Sequence, residues 1–177
     1  MTGAQAARLG KYYAACVQEN IEGKIDALFG PAYKGIPLAV ACSIALSSQY
    51  GRDINYCFNR EGGGMVGYKL KSGDRVVIIE DVITAGTAMR ECLPLLKATA
   101  DIEIAGLIVS ADRMERGQRE LSAIQEIKAE YDIETYPIVT VREIIDALHN
   151  RPVKGKVVLN DEMREKMESY LTQYGIK

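Results

Sequence analysis

Val76-Val77-Ile78-Ile79-Glu80-Asp81-Val82-Ile83-Thr84-Ala85-Gly86-Thr87-Ala88 is the stretch that decides how this chain is read. The run from Val76 to Ile79 is unbroken aliphatic, the mark of a buried strand. Glu80 and Asp81 stand where that strand ends. A loop of small and hydroxyl residues follows, and a helix opens at Gly86. In a parallel α/β sheet, ligands bind at such junctions, outside the carboxyl ends of the strands. The N–H groups of the loop and of the helix N-terminus favour a phosphate, and the two acids suit hydroxyls or a metal-bound group. The junction therefore offers a phosphate site beside a hydroxyl site, as a sugar phosphate requires. Taken alone, Thr84 or Thr87 could simply cap the helix; the coincidence of strand, acids and loop is what gives the stretch its weight.

Outward from the junction, strands and helices alternate. On the amino-terminal side, Thr2-Gly3-Ala4-Gln5 is a capping box, and Leu9, Tyr12, Tyr13, Cys16 and Val17 recur at helical spacing. Residues 25–29 read as a strand stopped by Gly30-Pro31, residues 36–50 as a helix of small residues, and residues 54–58 as a second strand. On the carboxyl-terminal side, a helix over 86–98 leads to a strand over 102–110. A helix over 122–131 and a strand over 136–139 come next. Thr140-Val141-Arg142-Glu143 caps a helix running to His149. Residues 151–160 read as irregular or a short hairpin, and 161–174 as an amphipathic helix. The pattern predicts an α/β fold with a mainly parallel sheet flanked by helices, a three-layer Rossmann-like core with right-handed crossovers. Residues 1–177 read as a single domain, without repeat or linker.

Composition sets bounds. At 47% hydrophobic and 26% charged residues the chain is globular, and a net charge of −2 supplies no basic field to recruit nucleic acid. Cys16, Cys42, Cys57 and Cys92 form no C-x-x-C pair and read as reduced thiols of a cytoplasmic protein. There is no signal peptide pattern and no apolar run long enough to span a membrane.

Gly62, Gly64 and Gly67 satisfy G-x-G-x-x-G, but loop and strand follow them, whereas the dinucleotide fingerprint opens a helix. No G-x-x-x-x-G-K-[ST] is present. His149, the single histidine, has no ligand-type neighbour at metal spacing and reads as a helix end on the surface. A second junction is more promising: Phe29-Gly30-Pro31-Ala32-Tyr33-Lys34-Gly35-Ile36-Pro37. It too follows a strand and opens a helix, with Lys34 where a cation could meet a polyphosphate. A plain surface lysine is the alternative, and the flanking Gly30 and Gly35, which suggest a tight backbone loop, weigh against it.

Four stretches closely resemble the orotate phosphoribosyltransferase family. These are residues 29–38, residues 77–91, Asp112-Arg113-Met114-Glu115-Arg116-Gly117, and Cys57-Phe58-Asn59-Arg60. The second is similar to the phosphoribosyl diphosphate (PRPP) signature of all type I phosphoribosyltransferases; the others are narrower. The resemblance implies a type I phosphoribosyltransferase-like fold. It also implies that orotate and PRPP are joined to give orotidine 5′-monophosphate and diphosphate in pyrimidine synthesis. By this likeness, Val82, Ile83, Thr84, Ala85, Gly86, Thr87 and Ala88 hold the 5′-phosphate, while Glu80 and Asp81 face the ribose hydroxyls and the developing oxocarbenium charge. Tyr33 and Lys34 line the diphosphate loop. Thr84 and Arg113 contact orotate, and Arg60 reaches the diphosphate, in this family often across a homodimer interface. Mg²⁺ is expected as cofactor, held mainly by PRPP rather than by a protein cage.

The chain also departs from the family. A mobile, lysine-rich loop with a histidine normally follows the Asn-Arg of this region, and an N-terminal segment covers the orotate site. Here Arg60 runs straight into Glu61-Gly62-Gly63-Gly64, and the sequence begins at a helix. Either the protein is truncated at both places, or the sequence leaves out stretches of a longer chain. The second is the expectation, because mobile loops are the parts most easily lost. Two other functions share the motif: a non-catalytic PRPP-sensing regulator, and a type I transferase for another base.

Overall fold

The computed structural model describes residues 1–60, 63–83, 87–117 and 121–176, with the backbone alone for residues 87 and 88. In chain order the elements are α1 (Gly3–Asn20), β1 (Ala27–Phe29), α2 (Gly35–Tyr50), β2 (Asn55–Asn59), β3 (Met65–Gly67), β4 (Arg75–Val82) and α3 (Thr87–Thr99). There follow β5 (Glu103–Asp112), α4 (Ala123–Tyr131), β6 (Thr135–Thr140), α5 (Val141–Leu148), the hairpin β7 (Pro152–Val153) and β8 (Lys156–Val157), and α6 (Asp161–Tyr174).

The main sheet has the order β3-β2-β1-β4-β5-β6. Its pairs are parallel except β2 with β3. Alternation along β4 makes the layers. Val77 and Ile79 pack with Tyr13 and Val17 of α1 and with Leu38, Cys42 and Leu46 of α2. Val76 and Ile78 pack on the opposite face with Met89, Leu93 and Leu96 of α3 and Ile127 of α4. All four β4 side chains are wholly buried, each contributing about 1.5–3 kcal/mol. The continuous aliphatic run is thus the signature of a strand covered on both faces.

The expected capping boxes form at Thr2 and Thr140, and a third at Ser122 opens α4. Several boundaries differ from the sequence reading by one to three residues, and three bear on the site. β4 continues through Val82, so Glu80 and Asp81 lie on the strand instead of beyond it, because pairing persists from Glu80 with Val109 to Val82 with Ala111. Its partner β5 likewise runs on to Asp112. Third, Gly35 and not Ile36 opens α2. Gly64 is followed by strand β3, which ends at Gly67, where a dinucleotide fingerprint would open a helix; Gly62 lies outside the described residues.

The sheet order also locates a crevice. From β1 the chain steps outward to β2 and β3, returns to β4 on the other side, and continues to β5 and β6. The strand order reverses between β1 and β4, and such a switch point is where an open α/β sheet binds its ligand.

Candidate active site

Every candidate group leaves the carboxyl end of one of four adjacent parallel strands. Arg60 follows β2, the 30–34 loop follows β1, Glu80 and Asp81 end β4, and Arg113 follows β5. The sheet therefore gathers residues that are far apart in sequence along a single edge.

The loop after β1 is forced close to its neighbours. A Cβ on Gly30 would lie 2.4 Å from the Gly35 carbonyl oxygen, and one on Gly35 would lie 2.8 Å from the Ile79 carbonyl oxygen. Only glycine lets the loop fold back on β4 in this way. The Ala32 N–H donates to Asn59 Oδ1 at 2.9 Å, tying the β1 and β2 ends together. Tyr33 is exposed, and the Ala32–Tyr33 peptide is cis. Lys34 precedes α2 and reaches across the switch point: its Nζ donates to Asp81 Oδ2 at 2.9 Å.

The two acids of β4 are held differently. Glu80 is buried, and its Oε1 accepts the Asp81 N–H at 2.7 Å. Burial drives its carboxyl well above the usual carboxylate range. Burial also acts to raise Asp81, but the Lys34 ammonium, the Glu80 carboxyl and the Val82 N–H together outweigh it and keep this carboxyl below its ordinary value. One acid of the pair is thus readily neutral, the other firmly anionic. Two hydroxyls fix the backbone beneath them. Tyr13 donates to the Glu80 carbonyl oxygen at 2.6 Å, and Ser110 to the Asp81 carbonyl oxygen at 2.6 Å. Neither stood out in the sequence, where Tyr13 was one apolar position of a helix; no local signal reports a partner in a distant strand.

The phosphate loop is described in part. Asp81 Oδ1 accepts the Val82 N–H at 2.8 Å, so this amide is already engaged. Ile83 is buried in the core on the α3 side. The sites assigned to Thr84, Ala85 and Gly86 lie outside the described residues. Thr87 begins α3, which sets a helix N-terminus just past the loop.

On the base side, Arg113 Nη2 is 2.6 Å from Glu115 Oε1. Both line a cavity of about 340 Å³ with Val141, Lys166, Tyr170 and Leu171. The segment is strapped to the end of α6: the Arg116 N–H donates to the Tyr174 carbonyl at 2.9 Å, and the Ile176 N–H to the Met114 carbonyl at 3.0 Å. Arg60 is exposed; its Nε donates to the Gly63 carbonyl at 3.2 Å. His149 ends α5 and pairs with Asp161 at 2.7 Å, away from these strand ends.

A family model described as the phosphoribosyl transferase domain matches residues 3–134. The orotate phosphoribosyltransferase of Clostridium beijerinckii is 48% identical over 183 residues, covering 99% of this chain and 82% of that protein. The chain belongs to the orotate phosphoribosyltransferase family. Another of its members, from Agathobacter rectalis, is 46% identical over 186 residues, covering 100% of this chain and 82% of its own length. The crystal structure of the orotate phosphoribosyltransferase from Francisella tularensis superposes with a TM-score of 0.81 at 36% identity, over 98% of this chain and 82% of that one. The Mycobacterium tuberculosis orotate phosphoribosyltransferase in complex with PRPP shares the fold, with a TM-score of 0.62 at 19% identity, over 78% of this chain and 75% of that one. Both alignments to the orotate phosphoribosyltransferases of C. beijerinckii and A. rectalis exceed the 177 residues of the chain, so those relatives carry positions that have no counterpart here.

Among the described residues, no helix is long and apolar enough to cross a membrane. All four cysteines are unpaired and buried.

Proposed function

We propose that the protein transfers the phosphoribosyl group of PRPP to orotate, giving orotidine 5′-monophosphate and diphosphate, a step of pyrimidine biosynthesis. The observation that carries this reading is the Lys34–Asp81 pair across the β1/β4 switch point, in a chain nearly half identical to an orotate phosphoribosyltransferase.

The geometry suits the chemistry. The bond from ribose C1 to the diphosphate oxygen breaks, a bond from C1 to the orotate N1 forms as N1 gives up its proton to the departing diphosphate or to water, and the ring carries positive charge in between. Asp81, held anionic by Lys34, faces that charge and the ribose hydroxyls; Glu80 stands beneath it. When PRPP enters, Lys34 exchanges the Asp81 carboxylate for the departing diphosphate, so the same cation serves the empty and the loaded site. Residues 82–88 and the N-terminus of α3 receive the 5′-phosphate. Thr84 and Arg113 take orotate, with Arg113 exchanging Glu115 for the orotate carboxylate. Tyr33 lines the diphosphate loop, and Arg60 serves the diphosphate from a partner subunit of a homodimer.

Mg²⁺ fits this donor set as an ion held mainly by substrate oxygens. The site offers the Glu80–Asp81 pair, and among the described residues no group of three or more His, Cys, Asp or Glu could hold a metal. Held near Glu80 and Asp81, it would neutralise charge on the departing diphosphate. Cytoplasmic residence is part of the same reading.

Steady-state turnover with PRPP and Mg²⁺ tests the substrate assignment: orotate is consumed, whereas uracil, hypoxanthine and adenine are not. Turnover of one of those bases alone refutes it. A second reading is a PRPP-binding regulator without turnover. It is favoured by the sequence between Arg60 and Met65, Glu61-Gly62-Gly63-Gly64, which holds no lysine. We propose instead that the positions absent here but present in the relatives belong to a basic loop between Arg60 and Glu61 of a longer protein. An intact mass above that of the 177 residues supports this loop. A mass equal to theirs, with PRPP binding but no turnover, supports the regulator.

A further inference from the structure

α3 and α4 pack on the same face of the sheet, and one buried carboxylate joins them. Glu126, in the first turn of α4, is almost wholly buried, and its Oε2 lies 3.2 Å from Nη2 of Arg90. Arg90 sits in the first turn of α3, directly after the phosphate loop, and its Nε also meets Glu130 at 3.1 Å. The same carboxylate bears on Gly117, the last residue of the Asp112–Gly117 base stretch. A Cβ at Gly117 would fall 2.6 Å from Glu126 Cδ, and 2.7 and 2.8 Å from its oxygens. The Gly117 N–H, four residues past Arg113, donates to the Leu121 carbonyl at 2.8 Å, just before α4.

We propose that Glu126 is a positioning residue that couples the phosphate half of the site to the base half. The inference rests on the transferase reading for what the two halves bind. Arg90 fixes the carboxylate from α3, and the absence of a side chain at Gly117 lets the base loop close against it. The carboxylate touches Arg90 on one side and Gly117 on the other, beside a cavity of about 120 Å³ lined by Arg90, Leu121, Glu126, Ala129 and Glu130, so these direct contacts pass a shift of the first turn of α3 on phosphate binding to the Arg113 stretch.

The test uses R90Q and the double variant R90Q/E126Q. Removing the guanidinium from a buried carboxylate lowers the melting temperature of R90Q, whereas neutralising both partners restores most of it. A purely structural pair predicts that kinetics recover with stability. The proposal predicts that the double variant keeps an orotate KM raised about fivefold, about 1 kcal/mol by affinity arithmetic. It also predicts that PRPP slows amide hydrogen exchange over residues 113–117 in the wild type and not in the double variant. Recovery of the orotate KM together with stability overturns it, as does equal PRPP-dependent protection in both proteins, or none in the wild type. Should the wild type fail to turn over orotate, the transferase reading falls, and the exchange measurement alone decides the coupling.

Discussion

The carboxyl ends of β4 and β5 lie side by side and are secured in opposite ways. At the β4 end the backbone is held from within, and only the Lys34–Asp81 pair lies outside. Glu80 is buried, Tyr13 and Ser110 hold the carbonyls of the two acids, and wholly buried aliphatics anchor the strand from both faces. At the β5 end the base segment is held from outside, by α6, a helix with no buried residue, and by the partly exposed Arg113–Glu115 pair. The difference separates rigidity from choice. On the proposed reading, the half that presents PRPP, common to this class of transferase, is built into the core, and the half proposed to select the base is carried on peripheral contacts, which can change without disturbing the sheet.

This contrast can be broken at four points. The largest effect belongs to Asp81→Asn, which removes the anion facing the ribose; kcat falls about 100-fold with little change in orotate KM, read by steady-state kinetics. Gly35→Ala is next. It forces a Cβ onto the Ile79 carbonyl, and overpacking of this kind costs about 1–3 kcal/mol, lowering the melting temperature by several degrees in calorimetry. Arg113→Gln follows, raising orotate KM about tenfold, about 1.4 kcal/mol, while PRPP binding by titration calorimetry stays as in the wild type. If PRPP affinity falls equally, the two halves are not separable in this way.

The smallest effect is Glu80→Gln, seen as a pH dependence. A carboxyl raised by burial contributes its full stability below the ordinary carboxylate range and loses it as pH rises through the elevated value. Wild-type melting temperature therefore declines by a few degrees between about pH 5 and about pH 8, and Gln, which cannot ionise, removes that part of the decline.

How legible each half was in the sequence follows the same division. The β4 run, the capping boxes and the Gly30–Gly35 loop are local patterns, and sequence reports local patterns well. The far end of β4 was missed because Glu80 and Asp81 look like the end of a strand, while their pairing with β5 depends on a distant partner. Tyr13, Ser110 and the α6 strap were invisible for the same reason: a phenol on a helix does not reveal a contact 67 residues away. Arg113 was proposed from resemblance alone, because a half-exposed arginine after a strand has no physical mark of its own before the fold places it. The Lys34–Asp81 pair lies between these cases. Both residues were read as site groups, and the sheet order alone showed that they face each other across the switch point.

The most direct test is a crystal structure of the protein with orotidine 5′-monophosphate. The account places the phosphate at the N-terminus of α3, the ribose hydroxyls on Asp81, and the base carboxylate on Arg113 after its release from Glu115. A phosphate bound elsewhere, or a nucleotide seated on the β4 end while Arg113 remains on Glu115, would contradict the division of the site between these two strands.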